Sequence, residues 1–333
     1  MLIIYKDQVS LRKISILFSN FRENKTFLFY PLVISYNQPK FCQNATWNTN
    51  STTFADSTKV GFNPIDLFID RNNNIYVPNR SNKQLIIWLN NTQTPSMNFS
   101  TGSTDAQTLF VTTIGQILIP SSGSIIQIFN NKSNINSTVL WCGTCFDSFV
   151  DINQMFYCSF DTSHQVVTKP LNSSSNSYFV IAGTGQNGST SNMLKYPRGI
   201  FVDTNLDLYV ADGDNDRIQL FHRGESNATT VAGTGSSTIA LFWPSGVILD
   251  ADKYLYIADA DNHRIVGQGP NGFRCLVGGN GIGSASNQLR YPRSLSFDIY
   301  GNLFVVDTDN NRIQKFELLS ELCSKCVLFY DLS

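Results

Sequence analysis

The segment from Tyr196 to Phe221 reads YPRGIFVDTNLDLYVADGDNDRIQLF, and its pattern returns twice further along the chain. The later copies are WPSGVILD (243–250) with LYIAD (255–259) and NHRI (262–265), then YPRSLSFD (291–298) with LFVVD (303–307) and NNRIQKF (310–316). The first aspartate of each copy, here called its anchor, is Asp203, Asp250 or Asp298, and these lie 47 and 48 residues apart. Self-similarity at a fixed spacing indicates a repeat architecture.

Weaker copies precede these three. They are NPIDLFID (63–70) with IYV (75–77), LFVT (109–112) with ILI (117–119), and SFVD (148–151) with FYC (156–158). In every copy the apolar residues are β-branched or aromatic and stand in short runs between Asp, Asn and Gly, which predicts strands. A further apolar run closes most copies, as in TTVAGTG (229–235). Six units of about 45 residues with four strands each are typical of a β-propeller.

The fold predicted is therefore all-β, a six-bladed β-propeller with four antiparallel strands per blade. The last copy has only three strands, and TTFA (52–55) precedes the first copy, so we expect this N-terminal strand to close the ring. The domain boundaries expected are a leader or divergent signal region over 1–40, the propeller over 41–326 and a C-terminal tail over 327–333.

The pattern P-x-G-I-x-V-D followed by L-Y-V-A-D-x-x-N-x-R-I resembles the NHL repeat. The resemblance covers about three quarters of the chain and is close in the last three copies. It implies the propeller fold but no single function. The family includes substrate-binding halves of tripartite-motif ubiquitin ligases, RNA-binding regulators, a peptidyl-amidoglycolate lyase domain and bacterial extracellular sensor domains.

Three aspartates end a strand of the repeat, and an arginine follows each of them five residues later. The pairs are Asp212 with Arg217, Asp259 with Arg264, and Asp307 with Arg312. A guanidinium can fork onto such a carboxylate across a hairpin, so we expect a structural role. The run 212–216 also resembles the start of an EF-hand loop, but Arg217 and Arg223 occupy the positions that need Gly and an acidic residue. A calcium site of another kind stays open.

The cysteine positions suggest disulfides, as in secreted proteins. We expect a bridge from Cys42 to Cys323 or Cys326 that staples the ring, the alternative being an unpaired tail. We expect a second bridge from Cys158 to Cys145 or Cys142, the alternative being redox or zinc chemistry at Cys142–Cys145. Cys275 has no near neighbour in sequence and is the candidate free thiol.

Glycosylation acceptors of the form Asn-x-Ser/Thr also favour the secretory pathway. They include Asn24, Asn44, Asn50, Asn90, Asn98, Asn131, Asn136, Asn172, Asn187 and Asn227. Basic residues precede the apolar run 27–34, the order of a signal peptide, although Pro31 interrupts that run and a disordered leader is the alternative. No apolar run reaches about 20 residues, so no membrane span is expected. The net charge of −1 argues against nucleic-acid binding.

A ligand should bind where the inner strands converge at one mouth of the channel. The positions four and five residues before the anchors supply the expected rim residues, Arg198, Arg293, Asp66, Asp147, Ser245 and Gln107. A mixed polar rim suits a peptide or glycan, and simple solvation of the rim is the alternative. Of the three histidines, His164 and His263 share one repeat slot, which argues for structure rather than chemistry.

These patterns contain no catalytic constellation, and no metal site or cofactor is expected. The function predicted is a non-enzymatic, extracellular, monomeric binding scaffold for a protein, peptide or glycan. The alternatives are a metalloenzyme similar to the amidoglycolate lyases and an intracellular recognition module similar to the NHL half of the ubiquitin ligases.

Overall fold

The structure is a computed structural model, and it describes residues 34–42, 45–101, 107–121, 125–129, 135–140, 145–173 and 177–319. Six four-stranded antiparallel sheets appear in this part of the chain; five have sequential strands, and the sixth joins the last three strands to the first. The all-β six-bladed propeller predicted from the repeat is confirmed. Residues 1–33 of the expected leader and the tail over 327–333 lie outside the described residues.

The first three blades contain twelve strands. In blade 1 they are β2 (Phe68–Ile69), β3 (Ile75–Asn79), β4 (Gln84–Trp88) and β5 (Met97–Ser100). In blade 2 they are β6 (Phe110–Val111), β7 (Ile117–Ser121), β8 (Ile125–Phe129) and β9 (Ile135–Leu140). In blade 3 they are β10 (Ser148–Val150), β11 (Met155–Phe160), β12 (Gln165–Pro170) and β13 (Phe179–Ala182).

The last three blades carry the regular repeats. Blade 4 has β14 (Pro197–Val202), β15 (Leu208–Asp212), β16 (Arg217–Phe221) and β17 (Thr229–Gly233). Blade 5 has β18 (Pro244–Leu249), β19 (Leu255–Asp259), β20 (Arg264–Gly269) and β21 (Gly272–Gly278). Blade 6 has β22 (Pro292–Phe297), β23 (Leu303–Asp307), β24 (Arg312–Phe316) and, outermost, β1 (Thr52–Ala55). A single turn of helix, α1 (Ser57–Val60), follows β1, and 3-10 turns occur at Leu89–Asn91, Gly213–Asn215, Ala260–Asn262 and Thr308–Asn310.

The ring closes as the strand count predicts. Strand β1 pairs antiparallel with β24, with Thr52 opposite Lys315 and Thr53 opposite Gln314. The N-terminal part of the propeller therefore supplies the outer strand of the last blade. The expectation for residues 52–55 is confirmed, and the last blade has its fourth strand.

The anchor aspartates shape the hairpin between the first two strands of a blade. Asp250 Oδ1 accepts hydrogen bonds from the backbone N–H groups of Asp252 and Tyr254, at 3.0 and 2.9 Å. Asp70, Asp151, Asp203 and Asp298 accept the equivalent pairs. The residue three positions after each anchor has a positive φ: Asn73, Gly115, Gln154, Leu206, Lys253 and Gly301. A side chain that caps the turn allows residues other than glycine at this strained position.

The second aspartate of the repeat ties the next hairpin to the loop that enters the blade. Asp212 is fully buried, and its carboxylate accepts from Lys195 N, Asn215 Nδ2 and Arg217 Nε. The other guanidinium nitrogens of Arg217 donate to the carbonyls of Ser189, Thr190 and Met193. Nε also lies 2.7 Å from Oδ2 in the pairs Arg264–Asp259 and Arg312–Asp307. The structure thus places all three pairs in the structural arrangement expected from sequence.

Two predictions about cysteines meet the structure. Cys145 and Cys158 form a disulfide, one of the two pairings proposed, and it joins the entry of β10 to β11. Cys275 is a free, exposed thiol. Cys42 is disulfide-bonded, whereas Cys142, Cys323 and Cys326 lie outside the described residues.

Residues 35–40, which the sequence assigns to the leader, cross one mouth of the channel. Tyr36 packs its ring on Phe110, Phe149 and Phe201 of blades 2, 3 and 4, with centroids 6.5, 5.3 and 5.2 Å away. Asn37 Nδ2 lies within 3.4 Å of carbonyls of Ile69, Asp70 and Phe297, and Gln38 Nε2 reaches Leu249 O of blade 5. Three consecutive residues therefore touch all six blades. These contacts add 35–40 to the packed part of the chain, ahead of the boundary expected at residue 40.

Replacing Asp307 with Asn should lower the free energy of unfolding by about 3 kcal/mol, because the substitution leaves the Arg312 guanidinium, only 13% exposed, without its countercharge. The matched control is Asp309→Asn, two residues away, whose carboxylate is 34% exposed and lies 3.6 Å from Arg290 Nε. It should change the stability by less than about 1 kcal/mol. Denaturant unfolding measures both variants, and equal losses would show that burial of the pair is not what matters.

Candidate functional site

The open mouth of the channel lies where the inner strands begin, and hydrogen bonds between neighbouring blades build it. The residue before the repeat Arg position accepts a hydrogen bond from the backbone N–H that precedes the next inner strand. The described residues contain four such contacts, which are His164 Nδ1 with Tyr196, Asp216 Oδ1 with Trp243, His263 Nδ1 with Tyr291, and Asn311 Oδ1 with Asn63, at 2.8–3.4 Å. We call them the interblade latches. His164 and His263 thus have the structural role that their shared slot indicates.

The latch residues need an unusual backbone. All four acceptors and all four donors have positive φ, between 49° and 56°. Non-glycine residues rarely adopt this region, so the surrounding structure must hold them in it. The His rings also contact the Tyr rings of the next blade edge-on, with centroids 4.9 and 4.8 Å apart. The latches therefore set the position of the side chains that frame the mouth.

Trp243 stands at the centre of the candidate site. Its backbone N–H is held by the latch to Asp216, and its indole Nε1 donates to Asp214 Oδ1 at 3.0 Å. The Arg198 guanidinium carbon lies 4.4 Å from the centroid of Trp243 and 4.4 Å from that of Phe146. The Arg293 guanidinium carbon lies 5.6 Å from Trp243. This arrangement, here called the arginine–aromatic stack, spans blades 3 to 6 and is held by cation–π attraction.

The stacked arginines differ from the repeat arginines in how their donors are used. The Nε atoms of Arg198 and Arg293 are buried and have no hydrogen-bond partner in the described part of the chain. In the described part of the chain, Arg198 forms an ion pair with Asp161, with Nη1 lying 3.9 Å from Oδ2. Arg217, by contrast, donates to a carboxylate and to three carbonyls. Burial lowers the pKa of Arg198; the charge of Asp161 opposes that shift, and Arg293 adds to it.

Below the stack, a pair of buried carboxylates links five blades. Thr108 Oγ1 lies 3.0 Å from both Asp66 Oδ2 and Asp147 Oδ1, so one hydroxyl faces two acids. Asp66 also accepts from Leu67 N, Leu109 N and Ser294 Oγ, whereas Asp147 accepts from Ser148 N and Ile200 N. These contacts join blades 6, 1, 2, 3 and 4 around the channel, and we call them the carboxylate belt.

The belt is arranged so that its two acids compete for ionisation. Burial, and next the negative charge of Asp66, raise the pKa of Asp147 to about 7, while the N–H groups of Ile200 and Ser148 oppose the shift. Burial likewise raises the pKa of Asp66. The Thr108 hydroxyl has one hydrogen but faces two acids. When the two acids share one further proton, Thr108 can donate to the ionised acid and accept from the protonated one.

The expected rim residues separate into different roles in the structure. Arg293, Asp66, Asp147 and Ser245 line the channel, Arg198 stands beside them on Phe146, and Gln107 is half-buried outside the lining. Asp66 and Asp147 lie deeper than the rim position expected, because the inner strands converge and their side chains bond across blades. Ser245 is buried, and its hydroxyl donates to the carbonyls of Pro292 and Arg293, so it fastens blade 5 to blade 6.

Sequence reasoning missed Trp243, Thr108 and the segment 35–40. The signal for Trp243 was present, because it occupies the repeat slot that holds Tyr in two other blades. Thr108 shares the slot of Asp66 and Asp147, but a hydroxyl in a mixed slot did not mark it as a rim residue. Tyr36 and Asn37 belong to no copy of the repeat, so nothing in the pattern marks them.

No group of three or more His, Cys, Asp or Glu side chains among the described residues is placed to hold a metal ion. No helix in the same part of the chain is long and apolar enough to cross a membrane.

Fold and site together define a six-bladed β-propeller with an arginine–aromatic stack at one mouth and a chain segment across the other. No protein-family model matches the sequence, and no curated protein matches it. Among solved structures, virginiamycin B lyase from Staphylococcus aureus is similar at a TM-score of 0.56 and 10% identity, over 82% of this chain and 100% of that one. An auxiliary nutrient binding protein from Bacteroides thetaiotaomicron is similar at 0.57 and 14%, over 86% and 76%. A Bacteroides thetaiotaomicron protein of unknown function reaches 0.60 at 14%, over 82% and 76%. These likenesses establish the fold.

The carboxylate belt predicts how stability depends on pH. Because the pKa of Asp147 is raised in the folded state, the folded protein binds a proton more tightly than the unfolded chain does. Its contribution to stability is therefore complete below about pH 4 and is lost as the pH rises to about 7, by up to about 1.4 kcal/mol per pH unit. Asp147→Asn should reduce this fall.

Denaturant unfolding at a series of pH values measures this slope. The control Glu225→Gln removes an exposed carboxylate on a surface turn and should leave the slope as in the wild type. An unchanged slope in Asp147→Asn would show that the belt does not hold a shared proton.

Proposed function

We propose that this chain is an NHL-type propeller that acts as an extracellular, monomeric, non-enzymatic binding scaffold. It recognises its ligand at the mouth framed by Arg198, Trp243 and Arg293. The observation that carries the proposal is the arginine–aromatic stack itself. It gathers two cationic planes and two aromatic rings from blades 3 to 6, while their guanidinium donors are not used up by the fold.

The closed opposite mouth supports this choice of site. Tyr36, Asn37 and Gln38 contact inner strands of all six blades at that end. A ligand therefore enters from the side of the stack and meets a blind channel. Concave sites with apolar walls and a few directed polar groups are typical of ligand-binding pockets.

The assignment to NHL repeats is supported by the way the motif residues act in blades 4, 5 and 6. In each, the motif Asp and Arg pair at 2.7 Å, and the motif Asn donates to the same Asp at 2.8 or 2.9 Å. The motif therefore encodes a contact of the blade and not a reaction, which is consistent with its presence in proteins of unrelated function.

A binding role is favoured over catalysis by what the buried acids contact. The four carboxylate oxygens of Asp66 and Asp147 each accept at least one hydrogen bond from the backbone or a hydroxyl of a blade. Groups engaged in this way hold the ring together. The same geometry leaves the stacked arginines as the groups that can respond to a ligand.

An extracellular location is supported by the acceptor asparagines. Asn50, Asn90, Asn98, Asn172, Asn187 and Asn227 are all exposed, while Asn24, Asn44, Asn131 and the side chain of Asn136 lie outside what the structure describes. The Cys145–Cys158 bridge fits an oxidising compartment as well.

Replacing Trp243 with Ala should weaken binding of any ligand of the open mouth by at least about tenfold, because it removes the ring on which both arginines rest. Calorimetric titration with ligands selected from peptide and oligosaccharide panels measures the effect. The control Phe179→Ala removes a ring that is 61% exposed on the outer strand of blade 3. Ligands that bind Trp243→Ala as tightly as wild type would place the site elsewhere.

Protein secreted from animal cells should carry N-glycans on the six exposed asparagines and should shift in mass on glycosidase treatment. Asn79-Arg80-Ser81 supplies an internal control, since it is also a sequon but Asn79 is only 2% exposed and donates to Lys59 O. Peptide mass spectrometry should find Asn79 unmodified. An absence of glycans at all six exposed positions would contradict the proposed compartment.

A further inference from the structure

The mouth of the channel holds cationic groups whose orientation comes from aromatic rings rather than from fixed acceptors. The Arg198 guanidinium lies between Phe146 and Trp243, at 4.4 Å from each centroid, so its nitrogens project from the edge of the stack. The Arg198 side chain keeps 14% of its surface exposed. Guanidinium edges match the two oxygens of a planar carboxylate, which makes this an anion-binding geometry.

We propose that the arginine–aromatic stack binds a carboxylate of an acidic peptide, with Arg198 and Arg293 as its donors. This inference rests on the proposed function and specifies the ligand of the same site. Arg198 belongs to blade 4 and Arg293 to blade 6, on either side of Trp243 in blade 5. A side-chain carboxylate that enters over the indole therefore meets both cations. Each Nε is buried without a partner among the described residues, so the fold leaves part of each guanidinium unsatisfied.

The charge already present favours a singly charged group over a phosphate. Asp161 lies 3.9 Å from Arg198, and the acids of the carboxylate belt lie below the stack. With Asp161 beside them, the two arginines leave a net charge of about +1 at the mouth, which one carboxylate neutralises and a doubly charged phosphate exceeds. The two arginines are therefore matched to one negative charge.

The surface around the mouth favours a peptide over a free small acid. Phe62 and Phe242 precede two of the latch residues, so they lie on the same face of the ring, and they are 66% and 53% exposed. Exposed rings beside a polar pocket are typical of protein and peptide recognition. A peptide can place its acidic side chain on the stack and its apolar residues on these rings, whereas a small acid reaches the stack alone.

The test uses the full chain and two blocked peptides, one of three glutamates and one of three glutamines. Wild type should bind the glutamate peptide at least about tenfold more tightly, because a charge-assisted hydrogen bond replaces a neutral one. Arg198→Gln and Arg293→Gln should each lower the affinity for the glutamate peptide by about tenfold or more. Arg223→Gln, which removes an exposed cation from a distant turn, should leave it unchanged.

Arg198→Lys separates geometry from charge, because lysine keeps the charge but not the planar fork. Its affinity for the glutamate peptide should lie between those of wild type and Arg198→Gln. An unfolding midpoint equal to that of wild type would show that the propeller is intact. Titrations with succinate and with inorganic phosphate identify the source of the anion. Succinate should bind more weakly than the glutamate peptide, and phosphate should not compete with it.

Equal binding of the two peptides, no binding of the glutamate peptide, or tighter binding of phosphate would each overturn the carboxylate assignment. So would unchanged affinity in Arg198→Gln. These results leave the proposed function intact if a neutral ligand still loses its binding in Trp243→Ala. Binding that ignores Trp243 altogether would instead remove the site and the inference together.

Discussion

Each blade of this propeller has to be held at a fixed angle to the next, and the interblade latches supply that constraint. A side-chain acceptor at the end of one blade takes the backbone N–H that precedes the next inner strand, in four of the junctions. Both partners adopt positive φ, which is tolerated because the neighbouring blade holds them in place. The latch that joins blade 4 to blade 5 also fixes Trp243, so the contact that sets the angle between these two blades also orients the indole of the candidate site.

The arginines of the chain illustrate how environment decides the role of one residue type. Arg217 and Arg312 each donate to a buried carboxylate and three backbone carbonyls, and they hold loops in place. Arg198 and Arg293 rest on aromatic rings, which supply attraction without consuming hydrogen-bond donors. Cation–π contact is therefore a way to hold a guanidinium in place while leaving it able to bind.

The sequence predicts those parts of the molecule that local chemistry encodes. In five blades the first hairpin depends on an Asp that caps its own turn within four residues, so these blades and the closing strand 52–55 could be recognised from pattern alone. The segment 35–40 could not, because Asn37 bonds to Phe297, 260 residues away. The sequence also does not reveal how deep in the channel Asp66 and Asp147 lie. Their depth depends on how closely the six inner strands converge and not on either residue's neighbours in sequence.

The closed mouth and the open mouth of the channel both follow from the convergence of the inner strands. Aromatic residues fill one slot of the first four inner strands, and their rings meet edge-on or tilted around the channel with centroids about 5 Å apart, as in Phe68–Phe110 and Phe110–Phe149. Tyr36 packs on this floor and keeps its hydroxyl un-ionised, since burial raises its pKa. The belt above the floor satisfies its acids with N–H groups drawn from several blades. Among the described residues of the channel, the stacked arginines at the top keep Nε groups without a partner, so the two ends of the channel differ in their hydrogen-bonding capacity.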